Sequence, residues 1–451
     1  MADDLWRDDP SLVRPRPTSV RYMVVAVTAV AALWMYIDRV CFSTLAPDIG
    51  KELGVGADEM SFVLAAFFFT YALFQIPIGS LADRYGPRLI LTLSIIAWSL
   101  CTAATSLATG AVALLAVRLC LGVCEAGAYP AAAGLVRKWA SASERGRLSS
   151  IVAFGGRIGG AVAPILTAWA AVRLLGHGSD DKEWRAVFLL YGLLGLFAAA
   201  AFWLVVRDTP AAHPWANEAE AARVPPTGPN PISATPWPQR LLALATSANM
   251  WLFGATQFFV NVGWIFLITN LPGYLRDRFG AELEDIGLMQ TVPLVASCVG
   301  MAVGGLFTDL MYRRLGPRWG RSVPIAVVMV LCAVTYLVAT LLPTAWTVIG
   351  ALAVMAFLVD MAIPCIWAFS QDVGGRHVGA ALGWGNMWGN LGAAVSPIVL
   401  HLVRKESGWD VVFVVCAVSF VLAGLCGVNL NALIPVTREE PEPEVEDYRE
   451  S

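Results

Sequence analysis

The chain has 451 residues, of which 57% are hydrophobic and 14% charged, whereas ordinary soluble domains run at about 45–50% and about 25%. Its 31 Lys and Arg against 34 Asp and Glu leave a formal net charge of −3, which excludes a basic nucleic-acid surface and leaves too few polar groups to coat a water-soluble globule. Lipid is the solvent this composition fits.

A helix that crosses a bilayer needs about 20 mostly apolar residues. The runs between charged or Pro/Gly-rich breaks predict twelve of them, at 22–46, 61–82, 89–109, 112–137, 147–173, 185–206, 249–275, 285–310, 322–342, 346–370, 377–401 and 410–434. The polar stretch 1–20 is too long and too acidic for the start of a cleaved signal peptide, so the first run is expected to remain a span. Six spans (21–206) and six more (249–434) form two bundles, joined by a Pro/Ala-rich linker at 207–248 and followed by an acidic, solvated tail at 435–451. With the N-terminus inside, 20 of the 31 basic residues fall on the face of the termini, 8 on the other and 3 within spans. The positive-inside rule then puts both termini in the cytoplasm of a cell inner (plasma) membrane protein.

Charges inside spans are the informative residues, since each costs at least about 2.5–3.5 kcal/mol at the bilayer centre and needs a partner or water. Asp38 and Arg39 lie in the first span, Arg118 and Glu125 in the fourth, Arg157 in the fifth and Asp360 in the tenth. Arg118 and Glu125 are nearly two helical turns apart, so they share a face at a separation of about 10 Å. Asp38 and Arg39 differ by about 100° around their helix, and either could reach Arg118. Three guanidiniums against two carboxylates in the first six spans leave one cation for an anionic substrate, which arginine's fork binds bidentately without losing its proton. Arg157 is expected either to pair with Glu125 or to anchor a larger or dianionic acid. Asp360, four residues before Pro364, reads as a carboxylate bonded to neighbouring helix ends, with Trp367 as a cavity wall. Tyr36, Tyr71, Gln257, Asn261, Asn386 and Asn390 are the polar side chains that could read hydroxyl groups, or glue helices together.

Nine cysteines lack the CxxC spacing of a metal or redox site, and the four histidines sit in loops or near predicted span ends. No nucleotide loop, metal site or catalytic triad occurs, so the chain is expected to be no enzyme, to need no cofactor and to draw on an ion gradient carried by a carboxylate. The break GSLADRYGPR (79–88) is repeated as GLFTDLMYRRLGPR (305–318) about 226 residues later. Two matching loops in two six-span halves imply a duplicated transporter with its site between the halves.

The first of these loops resembles the signature of the major facilitator superfamily. YIDRVCFSTLAPDI (36–49), RLCLGVCEAGAYPA (118–131), KWASASERGR (138–147), RDTP (207–210) and GWGNMWGNLGAAVSP (383–397) are similar to its anion:cation symporter branch. That branch includes bacterial sugar-acid proton symporters and animal sialic-acid and organic-anion carriers. The resemblance implies an all-α fold of twelve helices in two pseudo-symmetric bundles, working as a monomer by alternating access. It makes Asp38 and Glu125 the proton sites, with Arg39 and Arg118 poising them and helping to hold the substrate, and sets Asn386 and Asn390 on sugar hydroxyls. Asp83, Arg84 and Arg88, with Gly79 and Gly86, look like the superfamily's latch, with Asp309 as the second-half counterpart. The implied activity is proton symport of a small organic anion such as a hexonate or hexuronate. An anion antiporter or exporter of the same superfamily, and a transport-dead membrane sensor, are the alternatives.

Overall fold

The computed structural model describes residues 16–171, 183–224 and 237–436. Most of the N-terminal tail, the middle of the linker and the acidic tail lie outside the described residues.

The helices, in chain order, are α1 (Val20–Leu53), α2 (Ala57–Tyr85), α3 (Pro87–Thr105), α4 (Ala111–Ala126), α5 (Ala128–Trp139), α6 (Arg145–Trp169) and α7 (Glu183–Val205). They continue with α8 (Glu218–Ala221), α9 (Trp237–Thr246), α10 (Ala248–Trp264), α11 (Phe266–Thr269), α12 (Leu271–Phe279), α13 (Leu283–Ala339), α14 (Ala345–Val373) and α15 (Val378–Val428). No strand occurs among the described residues. Ten apolar stretches are long enough to span a membrane. At about 1.5 Å per residue, α13 and α15 are too long for one crossing, and each breaks at a glycine of positive φ, Gly316 (φ 76°) and Gly408 (φ 81°). Each therefore crosses twice, which brings the passes to twelve.

The repeated loops have a shared backbone cause. Gly86 (φ 97°) ends α2 and Pro87 opens α3, just as Gly316 precedes Pro317 at the break in α13. Glycine takes the left-handed turn that other residues resist, and proline suits the first helical position, where its missing N–H costs nothing.

Packing repeats as well. In the first half α1 lies on α6, α2 on α4 and α3 on α7; in the second, α10 lies on α15, and α13 on α14 and α15. Trp98, Trp139 and Phe202 are buried in the first half, and Phe253, Phe266, Tyr336 and Phe413 in the second. Phe62, Phe69, Phe197 and Leu306 point outward, as lipid-facing helices require.

The two halves meet through α2 and α15, α5 and α15, α6 and α13, and α6 and α14. The described stretch 207–224 of the linker folds against one end of the first half. Glu220 in α8 accepts from both Arg21 (Nη1 to Oε1 2.9 Å, to Oε2 3.0 Å) and the Arg21 backbone, the Trp139 indole donates to the Arg207 carbonyl, and His213 packs edge-on to Trp139. This end carries the start of α1, the α2–α3 turn, the 140–144 loop and the α14–α15 turn, and is called the terminus face below.

Candidate functional site

On α1, Arg39 reaches α4. Its Nη2 lies 2.7 Å and its Nε 3.1 Å from Oε2 of Glu125. The guanidinium sits among three aromatic rings, 4.9 Å from the Tyr36 centroid, 4.8 Å from Phe67 and 4.5 Å from Tyr71, which adds cation–π attraction to the ion pair. Glu125 is fully buried and its Oε1 accepts no hydrogen bond. It lies in the last turn of α4, next to the break at Gly127 where α4 gives way to α5.

Arg118, two turns earlier on α4, is 2% exposed. Its Cζ lies 4.2 Å from the Phe42 ring and 4.9 Å from Phe67. Among the described residues it forms no ion pair and no hydrogen bond. Asp38 turns the other way, towards α3. Its buried carboxyl lies against the Thr102 hydroxyl. Of the four charges Asp38, Arg39, Arg118 and Glu125, two thus form a closed ion pair, one guanidinium faces rings and one carboxyl faces Thr102.

Arg157 does not pair with Glu125, whose cation is Arg39. It crosses to the second half, with Nη2 2.6 Å from Oδ1 of Asp360 on α14, and its guanidinium lies 5.1 Å from the Trp264 ring. Asp360 therefore bonds a side chain of the opposite half, not the ends of neighbouring helices. The Arg157 side chain keeps 28% of its surface accessible while Asp360 has none, and Ser297 lies beside the Asp360 carboxyl. Tyr36 connects this pair to the first, because its ring lies against the backbone at Gly156 and Gly160, on either side of Arg157. Tyr129 meets Tyr36 at 6.3 Å and Trp367 of α14 edge-on at 5.0 Å.

In the second half, Gln257 and Asn261 on α10 face Asn386 and Asn390 on α15. Gln257 Nε2 is 3.5 Å from Asn386 Oδ1, and Asn261 and Asn390 each donate to the carbonyl four residues earlier. Oε1 of Gln257 is buried and free of partners. Gln75 on α2, four residues after Tyr71, is fully buried with both amide atoms unpartnered. Sequence reasoning passed over it although the i, i+4 spacing from Tyr71 put it on the same face.

At the terminus face, the Gly379 and Ala380 N–H groups donate to Asp83 Oδ1 (2.8 Å) and Oδ2 (2.9 Å), at the first turn of α15. In the mirror arrangement the Gly146 and Arg147 N–H groups donate to Asp309 at 3.0 and 3.3 Å, at the first turn of α6. Each carboxylate sits where helix dipole and free N–H groups favour an anion. Gly79 opposes Gly379 so closely that a Cβ on it would stand 2.4 Å from the Gly379 carbonyl oxygen. Asp372 of α14 receives both Arg145 of α6 and Arg321 (Nε to Oδ2 2.7 Å), and Arg137 donates to the Gly375 carbonyl. Gly86 and Arg88 stay within the first half. The Arg88 N–H donates to Asp208 (3.0 Å), its guanidinium covers Trp203 at 3.7 Å, and Asp208 fills the space beside Gly86. Arg84 stacks at 5.1 Å on Tyr85 at the surface.

A family model described as Major Facilitator Superfamily matches residues 28–397 and 257–450. The chain is 28% identical to the "Probable sulfoacetate transporter SauU" of Cupriavidus necator, over 92% of this chain and 95% of that one. It is 26% identical to the "Hexuronate transporter" of Bacillus subtilis, over 92% and 93%. Among solved structures, the Escherichia coli fucose:proton symporter FucP superposes with a TM-score of 0.71 at 13% identity, covering 91% of this chain and 98% of that one.

Proposed function

This chain belongs to the major facilitator superfamily, and from that premise we propose that it imports a small organic anion of the sugar-acid class together with protons. It is a membrane transporter and not an enzyme. The observation that carries the reading is Arg118, a cation buried inside the fourth span with no carboxylate bonded to it among the described residues. A charge at that depth is stabilised once an anion arrives, and arginine's fork suits a carboxylate.

In this mechanism the cargo's acid group seats against Arg118 and the Arg39 edge, and Tyr36, Tyr71, Gln257, Asn386 and Asn390 bond its hydroxyls. Asp38 and Glu125 carry the coupling protons. A proton on Glu125 loosens its hold on Arg39 and frees that guanidinium for the cargo, so loading of proton and anion favour one another. The basic terminus face is the cytoplasmic one, in a bacterial inner membrane, and the protein acts as a monomer. The Asp83, Asp309 and Asp372 contacts hold that face shut, so the conformation is closed to the cytoplasm, and the two halves rock about the site to open it. The relatives' names, which specify organic-anion cargoes, support the substrate class.

Uptake of labelled galactonate, glucuronate and glucarate into proteoliposomes under an inward proton gradient tests this, with Glu125→Gln beside wild type. Gradient-driven accumulation that the variant loses while it still exchanges cargo is the expected result. Accumulation indifferent to the gradient, or none with any acid, overturns the reading.

A further inference from the structure

The Arg157–Asp360 pair joins α6 of one half to α14 of the other, in the middle of the spans. If the halves rock as proposed above, on which this inference rests, α6 and α14 part at every cycle. Leaving a guanidinium and a carboxylate both unpaired at that depth costs several kcal/mol per charge. Something must therefore take the place of Asp360 on Arg157 while the pair is open. Two observations suit the pair to exchange. Arg157 contacts one oxygen of Asp360 only, and the arginine keeps more than a quarter of its side-chain surface accessible while the aspartate has none.

We propose that the cargo is a dianion with an acid group at each end, and that Arg157 is the seat of the second group, with Asp360 as its internal stand-in. The charge count leads there. Arg39 is closed by Glu125 and Arg157 by Asp360, so among the described residues Arg118 is the one guanidinium of these three that stands without a carboxylate. A monoanion fills that place and leaves the strap between α6 and α14 intact. With the first acid group seated on Arg118 and the Arg39 edge, the second reaches Arg157 by displacing Asp360, and the displacement releases the strap. Tyr36 forms the wall between the two seats, under Arg39 on one side and against Gly156 and Gly160 on the other. Arg157 thereby sets specificity for two charged ends and couples that recognition to the opening of the halves. The relatives' names do not decide the matter, since galactarate, D-glucarate and sulfoacetate carry two acid groups, and L-galactonate and a hexuronate carry one.

The test uses pairs of acids that differ in one terminal group, glucarate with gluconate and tartrate with threonate, titrated against the full-length purified protein and read by thermal shift and by competition in proteoliposome counterflow. In wild type, at least one diacid should act at a concentration about tenfold or more below its monoacid partner, which corresponds to about 1.4 kcal/mol. Arg157→Gln should bring that ratio to near one. Asp360→Asn, close in shape and free of the rival charge, should strengthen the diacid about tenfold and keeps the question open to refutation if the arginine variant does not fold. Equal action of the two acids in wild type, an unchanged ratio in Arg157→Gln, or a weaker diacid in Asp360→Asn overturns the dianion proposal and leaves the transporter reading standing. Failure of every acid to bind or exchange overturns both.

Discussion

Asp83 and Asp309 stand 226 residues apart in the chain and do the same work in opposite directions. Asp83 of the first half accepts two N–H groups from the start of α15, and Asp309 of the second half accepts two from the start of α6. The sequence repeat is therefore a repeat of contact between the halves.

Replacing either aspartate by Ala removes hydrogen bonds that join the halves at the terminus face. At roughly 1.5–3 kcal/mol for a bond to a charged group, the equilibrium should move about ten- to hundredfold towards the state open at that face. Spin-label distances across the terminus face should report a longer population in each single variant and a longer one still in the double. An unaltered distribution would remove the latch from the account.

Gly79→Val should act on the same equilibrium by shape alone. Its Cβ would stand 2.4 Å from a backbone oxygen of α15, so the helices must separate or the side chain cannot fit. The variant should resemble the aspartate variants in distance measurements even at high salt, where an electrostatic change would be screened.

Arg118→Lys keeps the charge and loses the fork. Counterflow should show at least about a tenfold rise in the half-saturating cargo concentration, because a point charge on a flexible stem does not reproduce bidentate binding of an acid group. Unchanged saturation would place the cargo elsewhere.

Glu144, in the loop between α5 and α6, binds Arg147 and Arg223 at 3.0 and 2.9 Å and lies 3.9 Å from Arg21. Burial pushes its carboxyl up, but the hydrogen bonds from Arg223 and Ser141 and the nearby guanidiniums outweigh that and hold it below the ordinary 4.5. A depressed carboxyl contributes stability that is complete above its unfolded value and is lost as pH falls through its folded one. The melting temperature of Glu144→Gln should thus lie below wild type at pH 7, and the gap should close as the pH falls through the region below 4.5.

Glu220→Ala should detach α8 from Arg21. Removal of one partner from a largely buried pair costs roughly 3–5 kcal/mol, much of it from the stranded charge. Limited proteolysis should then cut within 207–224 far faster than in wild type, and Arg21→Leu combined with Glu220→Leu should recover part of the resistance.

The two-half plan was legible because glycine, aspartate and proline recur at set offsets, and each has a backbone job that no other residue does as well. The mid-span charges were equally legible, since lipid makes every one of them conspicuous. Their pairing was not. Positions 38 and 39 differ by a fixed angle on their own helix, but only the packing of α3 and α4 around α1 decides that Arg39 meets Glu125 while Asp38 turns to Thr102. Arg157 and Asp360 lie 203 residues apart on helices of different halves, and no spacing within either helix announces that they touch. The folded stretch 207–224 was hidden for a similar reason. Its Pro/Ala composition suggests a tether, and the contacts that order it come from Arg21 and Trp139, far away in the chain.

Three ring faces clasp the Arg39 guanidinium at distances between 4.5 and 4.9 Å. A cation held on so many sides has little room to swivel. If Glu125 takes up a proton as proposed, the positive pole stays in place, and what alters is the field that reaches an incoming anion, not the shape of the wall it meets: Arg39 would be a fixed electrode whose voltage Glu125 sets.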